Sequence, residues 1–274
     1  MALTAAGCTS TRPQAPIIPL TANTPDVKAQ DARVDAQLPT DVLMLGEQHD
    51  APEHQQIEQQ TIAHLAARGV LAAVVLEMAD SGATTAMLKP SASDEQVRNA
   101  LKWNDKGWPW ADYGPAVMSA VQAGVPVLGG NLPRAQMRDA MADTKLDQQL
   151  AGPALKAQQQ LIRSGHCGLL PEAQITPMTR IQISKDITLA NTIAQVALPG
   201  KVVVLLAGSG HVDRQLGVPR HLPSDLKVRA IRLYAGKPAS TTQAFDEDWL
   251  TPAMPEKDYC AGLDEKLTGQ PGMP

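Results

Sequence analysis

Two apolar runs in this chain end in the same four-residue signature. Asp41-Val42-Leu43-Met44-Leu45 leads into Gly46-Glu47-Gln48-His49, and Lys201-Val202-Val203-Val204-Leu205-Leu206-Ala207 leads into Gly208-Ser209-Gly210-His211. Both runs are short, rich in Val and Leu, and stopped by Gly, so they read as buried strands rather than helices. A glycine at the end of a strand lets the backbone turn tightly. The polar residues after it then stand at the carboxyl edge of a sheet, where open parallel sheets bind their ligands. Two imidazoles far apart in sequence are thereby expected at one site.

Two further runs end the same way with other polar groups. Ala72-Ala73-Val74-Val75-Leu76 leads into Glu77, and Val125-Pro126-Val127-Leu128 passes through Gly129-Gly130 to Asn131 and Arg134. Strand ends in any α/β domain carry polar groups, some of them helix caps. Four ends holding Glu47, His49, Glu77, Arg134 and His211 point beyond capping to a cleft, with His49, Glu77, Arg134 and His211 converging because their strands are parallel neighbours. The fold class expected is α/β, a mostly parallel central sheet with flanking helices.

Pro52 to Arg68 reads as a helix, with Pro in the first turn, a stripe of Ile57, Ile62, Leu65 and Ala66, and Gly69 to stop it. With its flanking strands it makes a right-handed βαβ crossover. Ser93 to Lys102 reads as a second helix capped by Ser93. A turn follows that holds Trp103, Trp108 and Trp110, and then a helix over Asp112 to Ala123. Residues 134–198 contain no convincing strand. Helical patterns at 135–143, 145–164 and 176–197 suggest an insertion or cap subdomain over the sheet, and Val228 to Tyr234 reads as the last strand. Three segments are therefore expected: a leader and tether at 1–35, an α/β domain at 36–235, and a loosely packed tail at 236–274.

Five segments together carry a family resemblance: Leu-Gly-Glu-Gln-His-Asp-x-Pro-Glu-His (45–54), Val-Leu-Glu-Met (75–78), Gly-Gly-Asn-Leu-Pro-Arg (129–134), Gly-His-Cys-Gly (165–168) and Leu-Ala-Gly-Ser-Gly-His-Val-x-Arg-x-x-Gly-Val-Pro-Arg-His-Leu (206–222). In this order they resemble the ChaN-like haem-binding lipoproteins. That family sits in a wider group with paired Gly-x-x-His motifs, which takes in TraB/Tiki-type proteins and erythromycin esterases, some of them regarded as hydrolases. The resemblance implies haem held between monomers by a Tyr ligand, a haem-promoted homodimer, and an outer-membrane haem or iron receptor as partner.

Composition fits one sizeable domain: 274 residues, 43% hydrophobic but only 3% aromatic, with a single Phe and a net charge of −4. The charge gives no basic footprint for nucleic acid. Leu3-Thr4-Ala5-Ala6-Gly7-Cys8 looks like a bacterial lipobox, with an apolar h-region and a basic n-region expected upstream of the seven residues that precede Cys8. Lipidation at Cys8 followed by a Pro/Thr/Ala/Asp-rich tether would anchor the domain to the bacterial outer membrane, facing the periplasm. In such an oxidising compartment Cys167 and Cys260 form a candidate disulfide that fastens the tail to the domain. In a reducing one, Cys167 beside His166 would be a candidate thiolate.

For haem, iron needs an axial donor and the porphyrin needs apolar flanks. With so few aromatics a deep pocket is not expected, and a shallow face closed by a second copy is. Tyr113 is the first choice as ligand because Trp108, Trp110 and Met118 could flank a ring; His166 and Met178 are alternatives. The rival reading is a hydrolase. In it Glu47, His49, His54, Glu77 and His211 hold a metal-bound water, or His49 acts as general base with Glu77 orienting it and Arg134 holding an oxyanion. Gly-Ser-Gly (208–210) lacks the Gly-x-Ser-x-Gly elbow of serine hydrolases. A buried structural network without any ligand would look the same in sequence.

Overall fold

The computed structural model describes residues 27–237 and 244–261; Cys8 lies outside them. Six strands form one parallel sheet in the order β3-β2-β4-β1-β5-β6. They are β1 (Val42–Glu47), β2 (Leu71–Asp80), β3 (Val127–Asn131), β4 (Val202–Gly208), β5 (Val228–Ala235) and β6 (Glu247–Thr251). The helices are α1 (Val27–Asp35), α2 (Pro52–Ala67), α3 (Asp94–Ala100), α4 (Trp110–Gln122), α5 (Met137–Ala142), α6 (Gly152–Gly165) and α7 (Glu172–Val196). Among the described residues no helix is long and apolar enough to cross a membrane.

The sheet is covered on both faces, as parallel sheets require, which is why its strands read as unbroken apolar runs. Alternate residues divide between two cores. Leu43, Leu45, Val74, Leu76, Val204 and Leu206 pack under α2 and α4; Val42, Met44, Val75, Val203 and Leu205 pack under Leu189, Ala190 and Ile193 of α7. α2 joins β1 to β2 across the position of β4, so β4 separates the two strands that the helix connects.

Three sequence expectations are corrected. Part of the tether is ordered: residues 27–35 form α1, whose Val34 is fully buried and whose Asp31 and Asp35 face His64 of α2. The tail is not uniformly loose, since β6 adds a strand and buries Trp249 completely. Its period-two pattern is only five residues long and lies between Pro- and Asp-rich stretches, so no sequence window singles it out. The 134–198 segment is only half a cap. The second half of α7 is the crossover helix of the sheet, while its first half packs with α5 and α6 around Ile181, Ile183, Leu146 and Leu150.

Residues 252–261 leave β6 as a strap without regular structure, and Cys260 near its end is bonded to Cys167 in the turn between α6 and α7. The expected disulfide is present. It closes a loop with a sequence separation of 93, worth about 4.6 kcal/mol in the chain-entropy picture.

Gly46 decides how closely β1 can approach the turn after β4. A Cβ there would overlap Val212 Cγ2 and press on the Ser209 backbone. Gly46→Ala is therefore expected to lower stability by about 1–3 kcal/mol in urea unfolding. Gly152→Ala, in open space at the start of α6, should be neutral or stabilise by up to about 1 kcal/mol.

Candidate functional site

The carboxyl ends of β1, β2 and β4 meet in a cleft of about 630 Å³ lined by Glu47, His49, Glu77, Ser209, His211 and the α6 and α7 side chains Gln158, Ile162 and Gln182. Glu77, at the end of the central part of β2, is its hub. One of its oxygens accepts from the Gly208 N–H at 2.8 Å, the other lies 3.2 Å from His211 Nε2, and His49 Nε2 stands 3.8 Å away. Gly208 is needed here because a Cβ would come within 2.8 Å of His49 Nε2.

His211 is buried with a carboxylate on each ring nitrogen, Glu77 on Nε2 and Asp186 of α7 on Nδ1 at 2.5 Å. Burial works against the charged ring, but Glu77 and Asp186 outweigh it and push its pKa up to about 10. Burial likewise disfavours ionised Glu77, yet the His211 charge and the Gly208 N–H hold its carboxyl well below the usual range. Burial pushes Asp186 up to about 6 despite His211. The imidazolium–dicarboxylate triad is thus charged at neutral pH, with His211 a donor on both nitrogens. In this state it offers no lone pair to act as a base.

His49 is the accessible imidazole, its side chain 39% exposed. Its Nδ1 lies 2.8 Å from Glu47 Oε1, which also accepts from the Tyr113 hydroxyl at 2.8 Å, while Gln55 donates to the other Glu47 oxygen at 2.7 Å. Burial lowers the pKa of His49, and the bond to Glu47 and the charge of Glu77 more than restore it, so it lies above the ordinary value. Trp108 closes the side of the ring, edge-on at 4.8 Å. Behind Glu47, Glu58 is wholly buried with neither oxygen hydrogen-bonded. Burial, and then the nearby Glu47, raise its carboxyl well above the usual range, which keeps it protonated.

The convergence of His49, Glu77 and His211 read from the glycine signatures is therefore present. Arg134 does not take part: it is exposed at the start of a short 3₁₀ turn and is absent from the cleft lining. His54 is not a ligand but a buried strut. Its Nδ1 accepts from the Gln48 N–H at 2.9 Å, so Nε2 carries the proton and donates to Thr251 Oγ1 at 3.1 Å; burial holds its pKa down at about 4.

Tyr113 is also corrected as an exposed iron ligand. It is fully buried, its hydroxyl is bound to Glu47, and burial together with that carboxylate pushes its pKa up, away from a phenolate. Trp103 packs on Trp110 and Tyr113, Trp108 packs on Tyr113, and Trp110 Nε1 is bound to Asp94, so they make a wall rather than an open face. Met178 is half-buried against the α5–α6–α7 cluster. His166 differs: its Nδ1 donates to the Ile162 carbonyl at 2.8 Å, leaving the lone pair on Nε2. Asp186, Gln182, Gln55, Lys257 and Tyr259 had no motif to announce them; they reach the cleft or its network only through packing.

Residues 34–222, more than half the chain, match the family described as haem-binding uptake, Tiki superfamily, ChaN. The chain belongs to the ChaN family. Among solved structures it is similar to the ChaN protein of Campylobacter jejuni, described with cofacial haem binding, at 25% identity and a TM-score of 0.64, covering 78% of this chain and 91% of that one. It also matches the type III effector HopBA1 at 15% identity and a TM-score of 0.47, covering 86% of this chain and 100% of that one, a likeness too loose to build on. No curated protein matches the chain. The ChaN match takes in Glu47, His49, Glu77, Tyr113, Asp186 and His211 but stops before β5, β6 and the strap.

Imidazole NMR is expected to find His211 doubly protonated at pH 8 and His54 neutral with its proton on Nε2 at pH 6. For stability the sign follows from His211 being raised. Its contribution is full below about pH 6.5, the unfolded value, and is lost as pH rises through about 10. Denaturant titrations should show this alkaline loss in the native chain and a shallower one in His211→Gln.

Proposed function

We propose that the chain binds haem at the corner made by the α6–α7 turn and the strap, and that it serves haem or iron uptake. Membership of the ChaN family over residues 34–222 carries this reading. The residues at that corner fit the group. His166 presents an Nε2 lone pair with Nδ1 held by the Ile162 carbonyl, the arrangement that orients and strengthens an imidazole ligand. Leu169 (45% exposed) and Tyr259 (56% exposed) lie beside the two half-cystines and offer apolar surface. Haem supplies the iron and a broad apolar disc. The protein's part is to hold the iron on one side and exclude water from the ring.

Because the corner is open, half of a bound porphyrin would remain wet on one copy. A second copy placed face to face would bury that surface, worth roughly 25 cal/mol per Å², as the cofacial haems of the Campylobacter protein suggest. We further assign the chain to the periplasmic face of the bacterial outer membrane, anchored through a lipidated Cys8 and delivering haem or iron to a receptor there. The lipobox-like Leu3 to Cys8 supports this. Cys8→Ser should abolish fatty-acid incorporation and membrane fractionation; unchanged fractionation overturns the anchor.

A second reading, hydrolysis in the strand-end cleft, has His49 in its favour, accessible and held by Glu47. It would act as general base on water beside Glu77. The metal-dependent form needs three donors about one point, and among the described residues no His, Cys, Asp or Glu cluster is so arranged.

Haem titration separates the readings. A Soret band with haem-dependent dimerisation on size exclusion is expected. His166→Ala should weaken binding about tenfold, the loss of a coordinate contact worth about 1.4 kcal/mol, and should shift the band. Tyr113→Phe and His49→Ala should leave the band in place. A chain that stays colourless and monomeric in excess haem defeats the haem reading; ester hydrolysis lost in His49→Ala would support the other.

A further inference from the structure

The strap crosses the mouth of the strand-end cleft. Lys257 and Tyr259 line that cleft together with Glu47, His49, Glu77 and His211. They reach it by gripping the two residues that flank His49. Lys257 Nζ lies 2.7 Å from Asp50 Oδ2, Gln48 Nε2 donates to the Tyr259 hydroxyl at 3.0 Å, and that hydroxyl donates to Asp50 Oδ1 at 3.3 Å.

Beyond these, a 3.4 Å contact of Gln48 Nε2 with Met254 Sδ is the main side-chain hold on the strap. From Pro252 to Ala261 every residue is exposed except half-buried Met254. Among the described residues no backbone hydrogen bond joins 252–259 to the sheet. Exposed ion pairs such as Lys257–Asp50 hold weakly because water and salt screen them. The one strong restraint is the Cys167–Cys260 bond, which turns those weak contacts into short-range, repeated encounters by keeping the strap's end at the α6–α7 turn.

We propose that the strap is a lid over the His49 cleft whose position is set by thiol–disulfide exchange with a dithiol reductant. One thiolate of the dithiol attacks a sulfur of the Cys167–Cys260 bond, forming a mixed disulfide and releasing the other cysteine as a thiolate that takes up a proton. The second thiol of the reductant then displaces the remaining cysteine. The reductant leaves as a disulfide, and its two electrons and two protons end on the thiols of Cys167 and Cys260. Cys260 is exposed and Cys167 half-buried, so the bond can be approached from solvent. Among the described residues the freed strap is then held covalently through β6 alone, and only its weak contacts to Gln48 and Asp50 keep it over the cleft. The proposal concerns the cleft and stands whether or not haem occupies the neighbouring corner.

The test is carbethoxylation of the full chain by diethyl pyrocarbonate, read residue by residue by peptide mass spectrometry before and after reduction with dithiothreitol. The His49 side chain is 39% exposed with the strap in place and keeps its Glu47 and Trp108 neighbours when the strap leaves, so opening should raise its rate by up to about twofold relative to His64, which sits on α2 facing α1 away from the strap. Cys260→Ser should show the faster rate without reductant and no further gain with it. Asp50→Asn with Lys257→Ala, which keeps the crosslink, should stay near the oxidised rate. Equal His49 rates in the oxidised, reduced and Cys260→Ser chains overturn the proposal. So does a parallel rise at His64, which would mean that the crosslink holds the whole fold. If Cys260→Ser does not fold, reduction of the native chain decides alone.

Discussion

The carboxylate of Glu77 is the contact on which the site depends. It stands at the middle of the sheet, is almost completely buried, and joins three strands at once: its own β2, β4 through the Gly208 N–H, and the two imidazoles that follow β1 and β4. A buried carboxylate without partners would be protonated. Here a backbone donor and a charged ring face it, so it remains ionised and in turn keeps His211 charged. Removing either partner would leave an unpaired buried charge, the costly half of such an arrangement.

From that clamp the chemistry divides into two layers. His211, Asp186 and Glu77 form the inner layer, shut off from solvent and fixed in charge. His49 forms the outer layer, held from behind by Glu47, which is itself saturated by Tyr113 and Gln55. The only imidazole of this cluster free to meet a solute is thus the one under the strap. The corner proposed for haem lies outside the cluster, on the turn whose Cys167 anchors that strap. One crosslink therefore touches both regions, although their chemistry is separate.

Much of this was legible in the sequence because it rests on local rules. Unbroken Val/Leu runs mean strands covered on both faces, and glycines at their ends mean polar residues delivered to the sheet edge. That was enough to bring His49, Glu77 and His211 together. The same rules misplaced Tyr113. A tyrosine at the start of an amphipathic helix beside tryptophans reads equally well as an exposed ring or a buried one, and only the packing of α4 on α2, β2 and β3 turned its hydroxyl toward Glu47. His54 went astray for a related reason: a helical His next to Gly-Glu-Gln-His looks like a ligand until Thr251 of β6, 197 residues away, is seen to accept its hydrogen bond.

The sequence by itself therefore determined the class of fold, the parallel strands and the edge at which the polar groups collect. These follow from periodicity, glycine and residue type, which act over a few neighbouring positions. Only the tertiary structure decided which imidazole is charged and which exposed, that Asp186 completes the His211 pair, and that the strap returns over the cleft. Charge state and exposure depend on which distant side chains share a buried volume, and that is fixed by packing of α7, β6 and the strap onto the sheet rather than by any stretch of sequence.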